Sequence, residues 1–274
     1  LHYCLDNCCI SKDNEKAMPP QGILVCYVKK VELILINTLS SWSSKSFYSS
    51  SLEVQLDELT PSNVQQTWLM FAAAAFLVSV PVFAQAPLVR LFPWLSLLCT
   101  AAWLGLSFRL RQNPTLAIWG NLLLGFSWTW LAGSLYWGWL RWEPLIHLPV
   151  EAIGLPFAIF GLRRGQNQIG HWFYLGSLFG TAMTDIYFYL VNLMPAWRQL
   201  MQVEPSLAAS VLQNAVAQIQ TSWGIGCAVG LIGILLVVGM APLRSNALHW
   251  WAFSGAVLST LLVDGLFWLG AAIV

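Results

Sequence analysis

From Trp68 onward the sequence is a succession of apolar runs, roughly 15 to 25 residues each, separated by short loops that carry Arg, Asn, Pro and Gln. A helix crossing a hydrocarbon core needs about 20 residues, and in lipid the backbone must satisfy its own hydrogen bonds. Such runs in series predict membrane-spanning helices near residues 67–84, 94–108, 116–140, 145–162, 172–194, 223–243 and 249–274. The expected fold class is all-α: a polytopic membrane helix bundle of about seven transmembrane helices, with the lipid bilayer as its first partner. Only 9% of residues are charged, against about 25% in a soluble domain, so a water-soluble enzyme is excluded for most of the length. A net charge of +1 with no basic block leaves nothing from which to build a nucleic-acid surface.

The charges divide the chain in two. All five lysines precede residue 60, as do Cys4, Cys8, Cys9 and Cys26; beyond it stand eight arginines and five acids. Residues 1–60 read as a disordered tail or an over-extended gene start, and residues 61–274 as the membrane domain. The apolar run from Ile23 to Leu39 is interrupted by Lys29, Lys30 and Glu32, which makes a crossing there costly. The Cys8-Cys9 pair lacks a second Cys/His pair at ligand spacing, so no metal site is expected.

Arginines give the expected sidedness. Arg109, Arg111, Arg163, Arg164 and Arg244 fall in loops on the side of the N-terminus; Arg90, Arg141 and Arg198, with Glu143 and Glu204, fall on the other. Positive residues stay inside, so the N-terminus is expected to be cytoplasmic and the C-terminus lumenal or periplasmic. The long outer connection, near residues 196–221, has the apolar spacing of one amphipathic helix, either resting on the membrane or a partner, or merely joining two spans. Most of the sixteen tryptophans fall at helix ends, where they anchor in the interface; Trp128 and Trp130 lie deeper and suit either core packing or contact with a flat ligand such as a pigment. Gly224, Gly226, Gly230 and Gly233 permit close helix approach, within one chain or in an oligomer.

A repeat runs through the second half. Asn167, His171-Trp172 and Asp185 recur as Asn246, His249-Trp250 and Asp264, so the fourth and fifth spans look like a copy of the sixth and seventh. A fainter third copy has Trp119 and Gly133, with glycine where the others have aspartate. His171 and His249 open their helices beside tryptophan, as anchors or as ligands to a pigment metal.

The acids inside the spans are the candidate site. Counting 1.5 Å per residue sets Asp185 and Asp264 about 20 Å from the inner face and Glu151 about 9 Å from the outer, so all three fall in one layer nearer the outside. His147 lies one turn before Glu151; Thr181 and Asn192 share a stripe with Asp185, and Thr260 lies one turn from Asp264. An ionised carboxylate facing lipid costs at least about 2.5 kcal/mol, so these residues are expected to line a polar pocket open to the outside, as a proton or polar-ligand site. The alternative is structural: an aspartate paired with Arg141, Arg198 or a tyrosine. No HExxH, GxSxG, Walker-type, CxxC or GxGxxG pattern stands in a usable context, so no catalytic residue is marked and no cofactor is required.

Residues 80–96 (VPVFAQAPLVRLFPWLS), 119–128 (WGNLLLGFSW) and 147–156 (HLPVEAIGLP) resemble an uncharacterised integral-membrane family of cyanobacteria with chloroplast relatives. The resemblance covers about residues 66–274 and implies a thylakoid or plasma membrane of a photosynthetic organism. The segments beginning Gly125-Phe-Ser-Trp and Gly133-Ser-Leu-Tyr-Trp also resemble the membrane part of apolipoprotein N-acyltransferases, whose soluble catalytic domain has no counterpart in these residues. Two functions are therefore carried forward. One is a non-enzymatic accessory or biogenesis factor of photosynthetic membrane complexes; the other is a proton-coupled small-solute transporter or channel using the carboxylate layer. For the first sixty residues, N-terminal sequencing of the native protein is expected to begin at or after Met18; a start well before it would remove the over-extension reading.

Overall fold

A computed structural model describes residues 61–273, and among them every regular element is helical. The expectations for residues 1–60 lie outside the described residues. The elements are α1 (Pro61–Leu91), α2 (Pro93–Arg111), α3 (Ala117–Leu135) with a π-turn over Tyr136–Leu140, the short α4 (His147–Glu151) between 3-10 turns, α5 (Leu155–Arg163), α6 (Gln168–Leu190), α7 (Met194–Gln202), α8 (Pro205–Ile219), α9 (Ser222–Met240) and α10 (Leu248–Ile273). Four stretches are long and apolar enough to cross a membrane: Val64–Leu91, Pro144–Arg163, Ser222–Arg244 and Leu248–Ile273. They mark the chain as a membrane protein. The helices α2, α3 and α6, expected as spans, are 19, 19 and 23 residues long but fall outside those four. Their hydropathy is diluted by Arg109 and Arg111 in α2, by Asn121 in α3, by Gln168, His171 and Asp185 in α6, and by Ser, Thr and Gly in all three.

Packing fixes the directions. Trp68 meets Trp251 and Phe83 stacks on Phe267, so α1 runs parallel to α10. Trp172 lies 4.3 Å from Trp250 and Thr184 bonds Asp264, so α6 is also parallel to α10. The helix α3 joins this set, with Gly125 against Gly170 near its start and Tyr136 close to His147, the partner of Asp185, beyond its end. The intervening elements return. Ser107 donates to the Gly120 carbonyl and the Trp130 indole to the Ser96 carbonyl, which sets α2 antiparallel to α3. Gly161 rests on His171 while His147 reaches Asp185, which sets α4 and α5 antiparallel to α6. Trp223, at the start of α9, donates to Leu190 at the end of α6.

Glycine makes these crossings. A Cβ on Gly125 would strike the Gly170 carbonyl, and one on Gly180 would strike the Thr260 hydroxyl. Small residues spaced by four let helix backbones touch where lipid offers no hydrophobic drive to bring them together. Gly226, Gly230 and Gly233 are different: nothing lies within 4 Å of an added Cβ. The outward surface there is apolar, with Val229 and Val237 about two-thirds exposed, as suits a face in contact with lipid.

Polar residues also hold the interior. Gln85 of α1 donates to the Trp130 carbonyl at 2.8 Å and to the Ser134 hydroxyl at 2.9 Å, and Ser134 lies 2.8 Å from the Ser96 hydroxyl. Gly133, which aligns with the two aspartates in the repeat, is filled by the Gln85 amide. In the third copy the polar group at this level comes from a neighbouring helix.

The connection between α6 and α9 differs from the single helix expected near 196–221. It forms two helices, α7 and α8, broken at Val203 and Glu204, whose ψ angles of 155° and 152° are extended. Pro205 is the reason: its ring disfavours helical geometry in the residue before it, and it has no N–H to continue α7.

Substituting Gly125 by Val is expected to force α3 and α6 apart. Overpacking of this kind costs about 1–3 kcal/mol, a fall of several degrees in the melting temperature of the detergent-solubilised protein. Gly226→Ala, with open space around it, is expected to leave that temperature nearly unchanged.

Candidate functional site

The site forms where the chain departs from regular α-helix. At the end of α3 the π-turn Tyr136–Leu140 carries Tyr136, fully buried, and Trp137. After the loop at Trp142, the stretch from Pro144 to Arg163 is apolar and long enough to span, yet it is not one helix: α4 and α5 are separated by the 3-10 turn Ala152–Gly154. Pro149 and Pro156 each remove a backbone donor, and that loss explains the interruption. One face of this stretch, with Ile146, Pro149, Val150 and Ile153, lines an apolar groove of about 510 Å³ shared with Leu135, Trp139 and Leu140. The other face carries His147 and Glu151.

His147 is the centre of the arrangement. Its Nδ1 lies 2.9 Å from Asp185 Oδ1, and its Nε2 lies 3.8 Å from Glu151 Oε1. Both nitrogens of one imidazole thus face carboxylates, one within hydrogen-bond range and the other just beyond it. All three side chains are only 12% exposed. Tyr136 packs 4.2 Å from the imidazole, ring centre to ring centre, with Trp137 and Trp197 at 6.1 Å and 5.9 Å. The Tyr174 hydroxyl donates to the Glu151 carbonyl at 2.7 Å, which ties α4 to α6. The residue next to Asp185, Thr184, donates to Asp264 Oδ2 at 2.8 Å. Helix α6 therefore serves both aspartates from adjacent positions.

The polar pocket expected to open at this end is instead a packed cluster, because these side chains bond to one another and aromatic rings cover them. Chemically, an imidazole between two carboxylates can accept, hold and pass a proton through its two ring nitrogens. Among the described residues no group of three or more His, Cys, Asp or Glu is arranged to hold a metal ion.

Of the residues marked in the sequence, His147, Glu151 and Asp185 come together, and Asp264 joins through Thr184. Thr260 is buried against Gly180, and Thr181 is half-buried on α6. Asn192 lies apart from them. At φ 58° it ends α6 in a Schellman motif, with Leu193 N–H bonded to the Phe188 carbonyl and Asn192 N–H to the Tyr189 carbonyl. His171 is buried beneath Gly161, and His249 stacks on Trp172 at 6.2 Å. Trp128 stacks on Phe157 at 4.7 Å, while Trp130 is buried between Trp103 and Phe126. Neither arginine weighed as a partner for the aspartates takes that place. Arg141 lies over the Trp142 ring, and Arg198 makes a bidentate pair with Glu143, at 2.7 Å and 3.2 Å. Hydrogen bonds from Arg198 first, and then from the Leu145 N–H, hold the Glu143 carboxyl below its ordinary range. Because the folded value is depressed, the pair's contribution is present above the ordinary glutamate range and is lost only as pH falls through the lowered value.

Sequence reasoning did not find Tyr136, Trp137 and Trp197 as the walls of the site. The signal for Tyr136 and Trp137 was the cluster of aromatics around residues 136–142, which reads equally as an interfacial belt; nothing in the sequence marked Trp197.

With this geometry in view, the family described as "Protein of unknown function (DUF3120)" matches residues 74–272. The chain belongs to this family. No curated protein and no solved structure matches it. The DUF3120 region takes in the whole His147 cluster, its aromatic walls and the Glu143–Arg198 pair.

His147→Ala and Asp185→Ala are each expected to lower the stability of the purified protein. A charge-assisted hydrogen bond contributes about 1.5–3 kcal/mol, so the double variant should lose less than the sum of the singles by that amount. Additive losses in a double-mutant cycle would show that the two side chains do not interact.

Proposed function

We propose that this chain is a seven-span membrane transporter that couples proton movement to the passage of a small solute, with His147, Asp185 and Glu151 as the proton site and Asp264 as its neighbour. The observation that carries this reading is His147, bonded to Asp185 at 2.9 Å and facing Glu151, within an interrupted stretch long and apolar enough to span. Ionisable groups in lipid are costly, and transporter folds place their sites where helices are discontinuous. Seven crossings follow if α2, α3 and α6 span along with the four more apolar segments; the alternation of helix directions supports this count. The arginine distribution then sets the N-terminus in the cytoplasm and the His147 cluster toward the lumen or periplasm. A thylakoid or plasma membrane is the setting that the family resemblance suggests.

The accessory reading keeps one supporting feature. Helices α7 and α8 lie outside the apolar spans, and α8 leaves Ser206, Leu207, Ser210, Gln213 and Asn214 exposed, a mostly polar surface suited to docking on a photosynthetic complex.

The test is proton flux in liposomes containing the purified protein and an internal pH-sensitive dye, challenged with a panel of inorganic cations, small organic acids and amines. At least one solute is expected to produce a dye response that His147→Ala and Asp185→Asn abolish. Responses equal to those of empty liposomes for the whole panel, together with comigration of the native protein with a large complex, would replace transport by the accessory role.

A further inference from the structure

The His147 cluster is covered at the end of the bundle where α6 finishes, and the cover is a separate small element. Helix α7 follows α6 after the Asn192 turn and begins with Met194 and Pro195. Its Trp197 lies over the site: the indole stacks on Trp137 at 5.6 Å and 20°, meets Phe188 edge-on at 5.3 Å and sits 5.9 Å from the His147 ring. The indole N–H donates to the Arg141 carbonyl at 2.9 Å. The next residue, Arg198, grips Glu143 with two hydrogen bonds, and the Glu143 carboxylate also accepts from the Leu145 N–H at the start of the interrupted stretch. One helix of nine residues thus carries the plug and the latch side by side.

The two attachments differ in kind. Trp197 fills space over a polar site whose side chains are only 12% exposed, whereas the Glu143 and Arg198 side chains are 39% and 38% exposed. A partly exposed ion pair contributes only a modest free energy and is open to water and salt. No residue of α7 itself is fully buried; besides these contacts it packs on the neighbouring helix α8, with Pro195, Ala196 and Gln199 on the side of Val211, Asn214 and Ala215. An element with no buried residue, joined to the bundle through Trp197 and one partly exposed pair and otherwise resting on α8, opens at lower cost than the bundle beneath it.

We propose that α7 is the gate of the His147 site, with Trp197 as its plug and the Glu143–Arg198 pair as its latch. Release of the pair lets α7 swing about the Asn192 turn and opens a path to His147, Glu151 and Asp185 from this end. The inference rests on the proton-site reading for its purpose, but its test reads access and not transport.

Glu151→Cys supplies the reporter, because it keeps the His147–Asp185 bond, in a chain whose six native cysteines are replaced by serine. The rate of modification by a charged, water-soluble thiol reagent is measured in detergent. Arg198→Ala is expected to raise that rate about two- to fivefold, the loss of a partly exposed ion pair. Trp197→Ala should raise it about tenfold or more, since a stacked aromatic is lost. The exchange Glu143→Arg with Arg198→Glu should return it toward the starting rate. Rates unchanged by both single variants, or an exchange that leaves the rate high, would overturn the gate. If Arg198→Ala does not fold, Trp197→Ala, whose latch is intact, decides the matter. Latch-dependent labelling with no solute flux would remove the transport reading and leave the gate standing.

Discussion

The contact between α6 and α10 positions most of what is chemically unusual in this protein. Gly176 and Gly180 bring α6 against Phe253, Ala256 and Thr260 so closely that any Cβ there would collide. Once the backbones touch in parallel, Thr184 meets Asp264 and the next residue, Asp185, is presented to His147. Larger residues at the crossing would separate the helices and leave Asp264 without Thr184. Buried carboxylates that lose such partners are among the most costly groups a membrane protein can carry.

The rest of the interior follows the same logic of small residues and exchanged hydrogen bonds. Ser107, Ser134, Ser96 and Gln85 join α1, α2 and α3 through side chains that hydropathy counts as defects. These residues lower the apolar score of α2 and α3, so that only four stretches stand out as apolar enough to cross a membrane. A helix inside a bundle has lipid on one side only. It can trade hydropathy for interhelical bonds.

The repeat was legible as residues and became meaningful as contact. His171-Trp172 and Asp185 recur as His249-Trp250 and Asp264, and in three dimensions Trp172 packs on Trp250 while Thr184 reaches Asp264. The second arms of the two hairpins lie side by side. The first arms diverge: α9 is a continuous helix, whereas its counterpart is interrupted around Pro149 and Pro156. That divergence is what turns His147 and Glu151 toward Asp185.

By itself the sequence determined the helical class, the membrane character, the position of most elements and the identity of the acids worth watching, because each depends on local composition and on the 3.6-residue period. It also marked His147 and Glu151 as one face. It left open which residues meet, since that depends on which helices touch and how closely. Asn192 reads as part of a polar stripe and proves to be the turn that ends α6; Trp130 reads equally as core packing or as a surface for a flat ligand and is packed in the core. Arg198 reads as a partner for an aspartate and is taken by Glu143, 55 residues away in the chain. Pairings over such separations are decided by helix crossings and by a π-turn and proline breaks that re-aim side chains, and no periodicity along one strand of sequence encodes them.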